Sequence, residues 1–491
     1  MAEFYGIDLG TTYSCIAKIN SDDIVEVIPV KKLHTTPSAV AFDNSGNLIV
    51  GKAAKHNLKN EPKDTVILVK REMSNKNYSR TIQGKTYDPV DISSFILKAL
   101  VDAANEKRVN EEGKDPISDV VITVPAYFGM LEKERTIAAG KKAGLNVMQL
   151  INEPTAAALS YGRKQQSDKT LLVYDLGGGT FDVSIMEFKN GIVNTLATDG
   201  DHHLGGADWD RIIVDIALEK IGFSFDSLNE KDQYGMILAA EEVKILLSET
   251  DSTTMTFNLQ GLRNVEITRR EFESRTEQLM NRTMLLVDSA LDLANKTEED
   301  IDEIILVGGS CYMPMVKPLV DEKFGKSAKL VDPDYAVAKG AALTAAQNDK
   351  GYVKGGLIMG MDKGSRAYGM LVVDNQDREF ISTLIERNDD LVVEKVFDNN
   401  KFQTQYDGQT KVIFNFYEYE SDELVLDVNP EWELKGREDS IRWGTPAPKG
   451  TPVKIIASRD KNGVVKVFAE CMGAKGEFVI VSPGCNINIK R

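Results

Sequence analysis

The chain has 491 residues, and 59 Lys and Arg against 75 Asp and Glu leave a net charge of −16 at pH 7. At roughly 150 residues per domain the length predicts about three folding units, and 42% hydrophobic with 27% charged residues is globular rather than disordered composition. The acidic balance argues against a nucleic-acid partner, which needs clustered Lys and Arg against its phosphates, and no run approaches the roughly 20 apolar residues of a membrane span.

In chain order, residues 4–19 (FYGIDLGTTYSCIAKI) read as strand, tight turn at Gly10-Thr11-Thr12, and strand, with Asp8 closing the first strand. Residues 95–107 carry apolar and Ala positions at helical spacing. Residues 131–143, rich in Glu, Lys and Ala, form a helix that stops before Gly144, a natural C′ residue. Pro154 opens an Ala-rich helix (PTAAALSYG), where its missing N–H costs nothing in the first turn. Residues 171–188 (LLVYDLGGGTFDVSIMEF) repeat the opening pattern around Gly177-Gly178-Gly179-Thr180, with Asp175 standing where Asp8 stood. The two copies lie about one domain length apart. An internal duplication, with two similar α/β halves ending near Lys350, is therefore expected.

Composition shifts at Gly351. Residues 355–362 are short, Gly-broken and apolar, and read as a linker. Beyond it two-residue alternation takes over: residues 411–420 (KVIFNFYEYE) alternate, and residues 452–469 read as two strands joined at Asn462-Gly463, a strong hairpin signal. The last segment (EFVIVSPGCNINIKR) still reads as strand. The expected layout is an α/β unit over 1–350, a linker over 351–362 and an all-β domain over 363–491.

The chemistry concentrates in the two turns. Gly10 lets the backbone turn tightly, so that successive N–H groups and the Thr11 and Thr12 hydroxyls face a phosphate. Asp8, at the strand end, suits Mg²⁺ held through its waters. Taken alone, an ordinary Gly hairpin with a surface Asp explains that segment equally well. The second copy favours phosphate binding, because two Gly/Thr hairpins on facing halves grip a polyphosphate from both sides.

Six ordered motifs then carry a resemblance: Asp8-Leu-Gly-Thr-Thr-Tyr-Ser14, Thr123-Val-Pro-Ala-Tyr-Phe128, Asn152-Glu-Pro-Thr-Ala-Ala-Ala158, Asp175-Leu-Gly-Gly-Gly-Thr-Phe-Asp-Val183, His203-Leu-Gly-Gly206 and Leu306-Val-Gly-Gly-Ser310. The set resembles the 70-kilodalton heat-shock (DnaK-like) chaperone family up to about Ala346. From Lys363 onward the likeness rests on layout and scattered positions. The resemblance implies an α/β actin-like ATPase fold of two duplicated halves with nucleotide in the cleft between them, followed by an all-β sandwich. It implies that Asp8 and Asp175 position Mg²⁺ through water, that Lys70 faces the γ-phosphate and the attacking water, and that Glu153 binds the water network near the metal. Thr11, Thr12 and Thr180 would bond phosphate oxygens. Without the family, Lys70 reads as a solvated surface lysine, and Glu153 as an acid favourable to a helix N-terminus.

By the same resemblance Gly10, Tyr13, Gly177, Gly178, Gly179 and Gly206 belong to the phosphate side. Glu241, Lys244 and Ser248, with Gly308, Gly309, Ser310, Tyr312 and Asp334, belong to the adenosine side. Where the family clamps adenine between two arginines, this chain has Ile245 and Tyr312, so the guanidinium stacking is gone. Gln149 replaces an arginine used to dock J-domain co-chaperones, Lys133 replaces the arginine partnering the switch proline Pro125, and Gly360 breaks the leucine run before Asp362.

In the β domain, Met370, Val372, Val373, Phe402 and Val412 fall where the family lines its peptide groove; core packing is the competing reading. The family's helical lid is expected to be missing, and a groove without a lid releases peptide faster. The whole reading is an ATP-dependent, peptide-binding chaperone in the cytoplasm that uses ATP/ADP, Mg²⁺ and K⁺. Its expected partners are unfolded peptides, a J-domain protein and a nucleotide exchange factor, with no nucleic acid and no membrane. A nucleotide-gated holdase with little turnover, and a small-molecule kinase on the same scaffold, are the alternatives. Cys15, Cys311, Cys471 and Cys485 are too scattered for a disulfide framework.

Overall fold

A computed structural model describes residues 3–20, 22–163, 167–349, 358–374, 376–398, 400–419, 433–434 and 440–480. The chain divides into two compact units, Met1–Ala126 with Thr136–Gly360, and Tyr127–Arg135 with Met361–Arg491.

The first unit is built on two sheets of the same design. In the first, β1 (Glu3–Asp8) turns back antiparallel into β2 (Tyr13–Asn20) and on to β3 (Val25–Ile28), while β4 (Asp119–Val124) and β5 (Asn146–Asn152) continue in parallel beyond β1. In the second, β6 (Lys169–Leu176), β7 (Phe181–Lys189) and β8 (Ile192–Asp201) meander in the same way, and β9 (Glu303–Val307) and β10 (Lys329–Leu330) extend the far side in parallel. Asp8 pairs with Cys15 across the first turn, and Asp175 with Asp182 across the second. The expected duplication is thus carried by topology as well as by sequence. Parallel pairs join strands through crossovers, whereas hairpins leave the sharp Gly turns at the strand ends where a ligand can reach them.

Helices cover the sheets. The segment foreseen over 95–107 belongs to α1 (Pro89–Asn110), and that over 131–143 to α2 (Met130–Lys142), with Gly144 at φ +85° beyond it. The Ala-rich helix α3 (Glu153–Gly162) begins at Glu153, one residue before Pro154. Further on come α4 (Gly206–Ile221), α5 (Glu230–Leu247), α6 (Arg269–Leu293) and α7 (Ala336–Gln347). The small residues of α3 and α7 have one purpose, which is backbone contact. A methyl group on Gly340 would sit 1.8 Å from the Ala156 carbonyl oxygen, and one on Gly6 of β1 would sit 2.1 Å from the Ala342 nitrogen. Beneath the second sheet, Trp209, Tyr174 and Phe181 anchor an apolar core, and the Tyr174 hydroxyl donates to Thr283 Oγ1 at 2.8 Å, so burial leaves it paired.

Part of the segment expected as a linker is a strand. Residues 351–357 lie outside the described residues, but Ile358–Met359 forms a short strand, β11, that pairs in parallel with the start of β8. Two apolar residues on an open sheet edge gain ladder hydrogen bonds that a free linker would lack.

Among the described residues beyond 361 the second unit holds strands and no helix. Ala367–Val373 lies between Glu379–Ile385 and Phe416–Tyr419, and Lys454–Arg459 lies between Val393–Phe397 and Val465–Cys471. The Asn462-Gly463 hairpin is present: Asp460 Oδ1 accepts from the backbone N–H groups of Asn462 and Val464, and Gly463 adopts φ +81°. Residues 411–419 do not form one strand. Gln409–Ile413 pairs with Ser440–Ala447, and Phe416–Tyr419 pairs with Ala367–Val373. Despite the break at Phe414-Asn415, Phe414 and Phe416 both enter the core, the face on which strict alternation also puts them.

Candidate functional site: a cleft in the first unit

The two Gly/Thr turns meet. A methyl group on Gly178 would lie 1.9 Å from Thr12 Oγ1, and one on Gly179 would lie 2.2 Å from Thr11 Cγ2, so only glycine allows the hairpins this approach. Around them opens a cleft of 440 Å³, large enough for a nucleotide-sized ligand. Of the residues expected on the phosphate side, Asp8, Gly10, Thr11, Thr12, Tyr13, Lys70, Glu153, Asp175, Gly177, Gly178, Thr180 and Gly206 line it. On the other side stand Glu241, Lys244, Gly308, Gly309, Ser310, Tyr312 and Asp334, together with Ile245. Two expected residues do not. Gly179 is held behind the wall, with its carbonyl accepting from Arg71 Nε at 2.8 Å, and Ser248 closes the end of α5, its hydroxyl donating to the Lys244 carbonyl at 3.3 Å.

Four acids converge at the floor. Asp8 closes β1, Asp175 lies one residue from the end of β6, Asp182 faces Asp175 from β7, and Glu153 is the first residue of α3. All but Asp8 are more than nine-tenths buried. Lys70 is 5% exposed, and its Nζ lies 2.5 Å from Glu153 Oε1. Burial and then the charge of Glu153 push the Asp8 carboxyl up to about 7, against the pull of Lys70 and a hydrogen bond that Thr123 Oγ1 donates at 3.2 Å. Asp175 is raised well above the usual carboxylate range by burial, then by Glu153, Asp182 and Asp8, with Lys70 opposing. Lys70 stands against Glu153, Asp8 and Asp175, and burial with the mutual repulsion of these acids raises both aspartates. A cation at this spot would relieve that repulsion.

The residues fit Mg²⁺ and a polyphosphate. The converging donors are carboxylate oxygens, the ligands a hard divalent cation prefers. The Thr12 hydroxyl oxygen is buried with no hydrogen-bond partner among the described residues, in a turn whose glycine has no room for a side chain. A ligand oxygen at the turn satisfies it.

The wall beyond the turns is fixed by ion pairs. Lys244 Nζ lies 2.7 Å from Asp210 Oδ1 and donates to the Gly206 carbonyl at 2.8 Å. Burial pushes the Asp210 carboxyl up to about 6, with Lys244 holding it down. Glu241 is gripped by Lys55, whose Nζ lies 2.5 Å from Oε2 and 2.7 Å from Oε1. Ser310 Oγ donates to the Gly177 carbonyl at 2.8 Å, and the Tyr312 hydroxyl donates to Asp334 Oδ2 at 3.3 Å. Ile245 and Tyr312 are 55% and 48% exposed, two apolar faces at the mouth of the cleft. Gln149 is buried and accepts from Asn348 Nδ2 at 3.1 Å.

Sequence reasoning missed Lys55, Arg71, Asp208 and Asp210. Arg71 had one local signal, its position beside Lys70, and Asp208 had another, an acid at the third position of α4, where its Oδ2 accepts from the Gly205 N–H at 2.8 Å. Nothing local pairs Arg71 with Asp208, 137 positions away, yet their Nη2 and Oδ2 are 2.5 Å apart.

In the second unit Met370 and Phe402 lie in the apolar core with Trp443, Phe416 and Phe478; Val372 and Val412 pack half-buried against it, and Val373 is 37% exposed.

Comparison with known proteins closes the question of kinship. The profile of the family described as Hsp70 protein matches residues 4–482. The chain is 38% identical over 506 residues to the chaperone protein DnaK of Thermosipho melanesiensis, covering 98% of this chain and 80% of that one. It is 38% identical over 505 residues to the DnaK of Thermosipho africanus, with 98% and 79% covered, and 38% identical over 515 residues to that of Thermotoga maritima, with 98% and 80% covered. An actin-like ATPase followed by a β-sandwich is the architecture of that family, and the chain belongs to the Hsp70 family as an ATP-dependent molecular chaperone and ATPase.

Proposed function

We propose that the cleft of the first unit is the Mg-ATP site, and that slow hydrolysis there governs how residues 363–491 bind and release extended apolar peptides. The proposed division is a nucleotide-binding domain over 1–350, a linker over 351–362 and a peptide-binding sandwich over 363–491. One observation carries the nucleotide assignment: two Gly/Thr turns in van der Waals contact above a buried carboxylate cluster, with the orphan Thr12 hydroxyl among them.

In this reading Asp8 and Asp175 hold a Mg²⁺ through its waters; the ion, when bound, offsets negative charge on the phosphates. K⁺ suits the same oxygen donors. The backbone and hydroxyls of Thr11, Thr12 and Thr180 hold phosphate oxygens. Lys70 offers a point charge to the oxygen that gains negative charge in the transition state. Glu153 fixes Lys70 and orders water beside it, and acts with the proximal carboxylates to position the water that attacks in line. Glu241, Lys244, Ser310, Tyr312 and Asp334 hold the nucleoside, with Ile245 and Tyr312 packing against the base.

Partners follow from the family: unfolded peptides, with a J-domain protein and a nucleotide exchange factor as the proposed regulators. Among the described residues no helix is long and apolar enough to cross a membrane. A cytoplasmic location is proposed on the buried, unpaired Cys15, Cys311 and Cys471. Titration of the whole chain with ADP tests the site. Binding that needs Mg²⁺, and loses that need when Asp8 and Asp175 are both changed to Asn, is expected. Wild-type binding indifferent to Mg²⁺ would overturn the assignment of both acids.

A further inference from the structure

Arg71 follows Lys70 in a single short turn, Val69–Glu72, entered through Leu68 at φ +56°. The two neighbours reach in different directions. Lys70 goes to Glu153, at the start of α3. Arg71 goes to the second hairpin and the helix behind it: Nε donates to the Gly179 carbonyl at 2.8 Å, while Nη2 and Nη1 reach the two oxygens of Asp208 at 2.5 and 3.4 Å.

What Arg71 touches is one rigid block. The Gly206 N–H donates to the Gly177 carbonyl at 3.0 Å and the Ala207 N–H to the Gly178 carbonyl at 2.9 Å, so the start of α4 is zipped to the hairpin. Inside the hairpin the Gly177 N–H donates to the Thr180 carbonyl at 3.0 Å. Asp208 caps α4 by accepting from the Gly205 N–H, so its carboxylate is already oriented for the guanidinium. The Arg71 and Asp208 side chains are 13% and 28% exposed, which spares the pair most of the solvent screening of a surface bridge.

We infer that Arg71 is a positioning residue for hydrolysis: its planar fork ties the second phosphate hairpin to the turn that carries Lys70, and so sets the distance from Lys70 to Thr180. The inference rests on the reading of the cleft as the Mg-ATP site. It assigns Arg71 no contact with nucleotide. A guanidinium serves the carbonyl from Nε and both carboxylate oxygens from Nη2 and Nη1 in one fixed plane; an ammonium carries its three donors on a single atom and does not reproduce that fork. Misplacement of a reacting group by about 1 Å costs on the order of a hundredfold in rate, so loosening this tie lowers turnover much more than affinity.

The experiment is single-turnover Mg-ATP hydrolysis by the full chain, with MgADP affinity and melting temperature measured on the same samples. Arg71→Ala is expected to slow hydrolysis by about ten- to a hundredfold, with MgADP affinity held within about threefold. Arg71→Lys is expected to recover only part of the rate, and Asp208→Asn on top of Arg71→Ala to cost little more, since the two groups act as one unit. Hydrolysis by Arg71→Ala at the wild-type rate would overturn the inference. So would full recovery by Arg71→Lys, or a rate loss matched by equal losses of MgADP affinity and melting temperature, the mark of a merely structural role. Failure of the unmodified chain to hydrolyse Mg-ATP would instead bring down the reading of the cleft and this inference with it, so the two failures are told apart before any variant is made.

Discussion

Lys70 and Glu153 form a buried ion pair, Nζ to Oε1 at 2.5 Å, between a short turn and the first residue of an Ala-rich helix. Sequence alone reads that lysine as solvated, and the fold buries it within reach of two further acids, Asp8 and Asp175. A cation surrounded by buried carboxylates is expensive to hold unless charge arrives to balance the cluster. The pair therefore makes sense as one half of a site completed by a metal and a polyphosphate.

Removal of that charge is the first test. Lys70→Ala is expected to keep MgADP binding while hydrolysis falls by about a hundredfold or more, as when one electrostatic stabiliser of a transition state is lost. Single-turnover assays alongside calorimetric titration check it. A variant that turns over at the wild-type rate would refute the role given to Lys70.

The meeting of the hairpins gives the second. Gly179→Ala forces a methyl group against Thr11, a β-branched side chain with little freedom to move. MgADP affinity is expected to drop more than about tenfold. Gly235→Ala is the control: that glycine lies inside α5 with open space around its Cα, and the change is expected to stabilise by about 0.5–1 kcal/mol. Thermal melting and titration read both. Normal nucleotide affinity in Gly179→Ala would show that the turns do not hold phosphate.

At the base, Ile245 and Tyr312 stand in place of two arginines. A stacked aromatic contributes about 0.5–1.5 kcal/mol, so Tyr312→Ala is expected to weaken ATP binding by about two- to tenfold, and Ile245→Arg to tighten it. Fluorescent-nucleotide competition measures both. An unchanged affinity in Tyr312→Ala would place the base elsewhere.

A pH prediction comes from Glu3. Burial alone would raise its carboxyl, but hydrogen bonds from Tyr5, Lys18 and Lys114 outweigh it and hold it at about 2 rather than the ordinary 4.5. Arg108 pairs with it as well. A carboxyl depressed in the folded state stabilises above its unfolded value and loses that contribution as protons bind. Stability is therefore expected to fall between about pH 4.5 and 2. Glu3→Gln removes this slope and costs about 1–3 kcal/mol at neutral pH. Urea unfolding of both proteins across that range checks it; parallel pH profiles would sink the assignment.

Much of this was legible in the chain because turn chemistry is local. Gly10 and Gly177 to Gly179 announce sharp turns, each follows an apolar strand ending in Asp, and the repeat announces the duplicated sheets. The helix containing Pro154 was equally readable from that proline in its first turn and from its small residues. Long-range pairing was not. Arg71 and Asp208 meet only because two distant strand–turn units fold against each other, and Lys55 finds Glu241 for the same reason. Short edge strands were also invisible. Ile358–Met359 has too few residues to show a period, so its pairing with β8 read as linker, and the strand break at Phe414-Asn415 was hidden inside an alternation that continues across it. Ser248 sits at helical spacing from Lys244, yet the helix ends there and its hydroxyl turns back onto the backbone.

The measurement that bears most directly on the account is single-turnover hydrolysis of Mg-ATP by the whole chain, with and without an extended apolar peptide. Slow hydrolysis that the peptide accelerates is the predicted result, since it requires both the cleft chemistry and its coupling to the β domain. Tight ATP binding with no hydrolysis, in either condition, would contradict the account and leave a nucleotide-gated binding protein in its place.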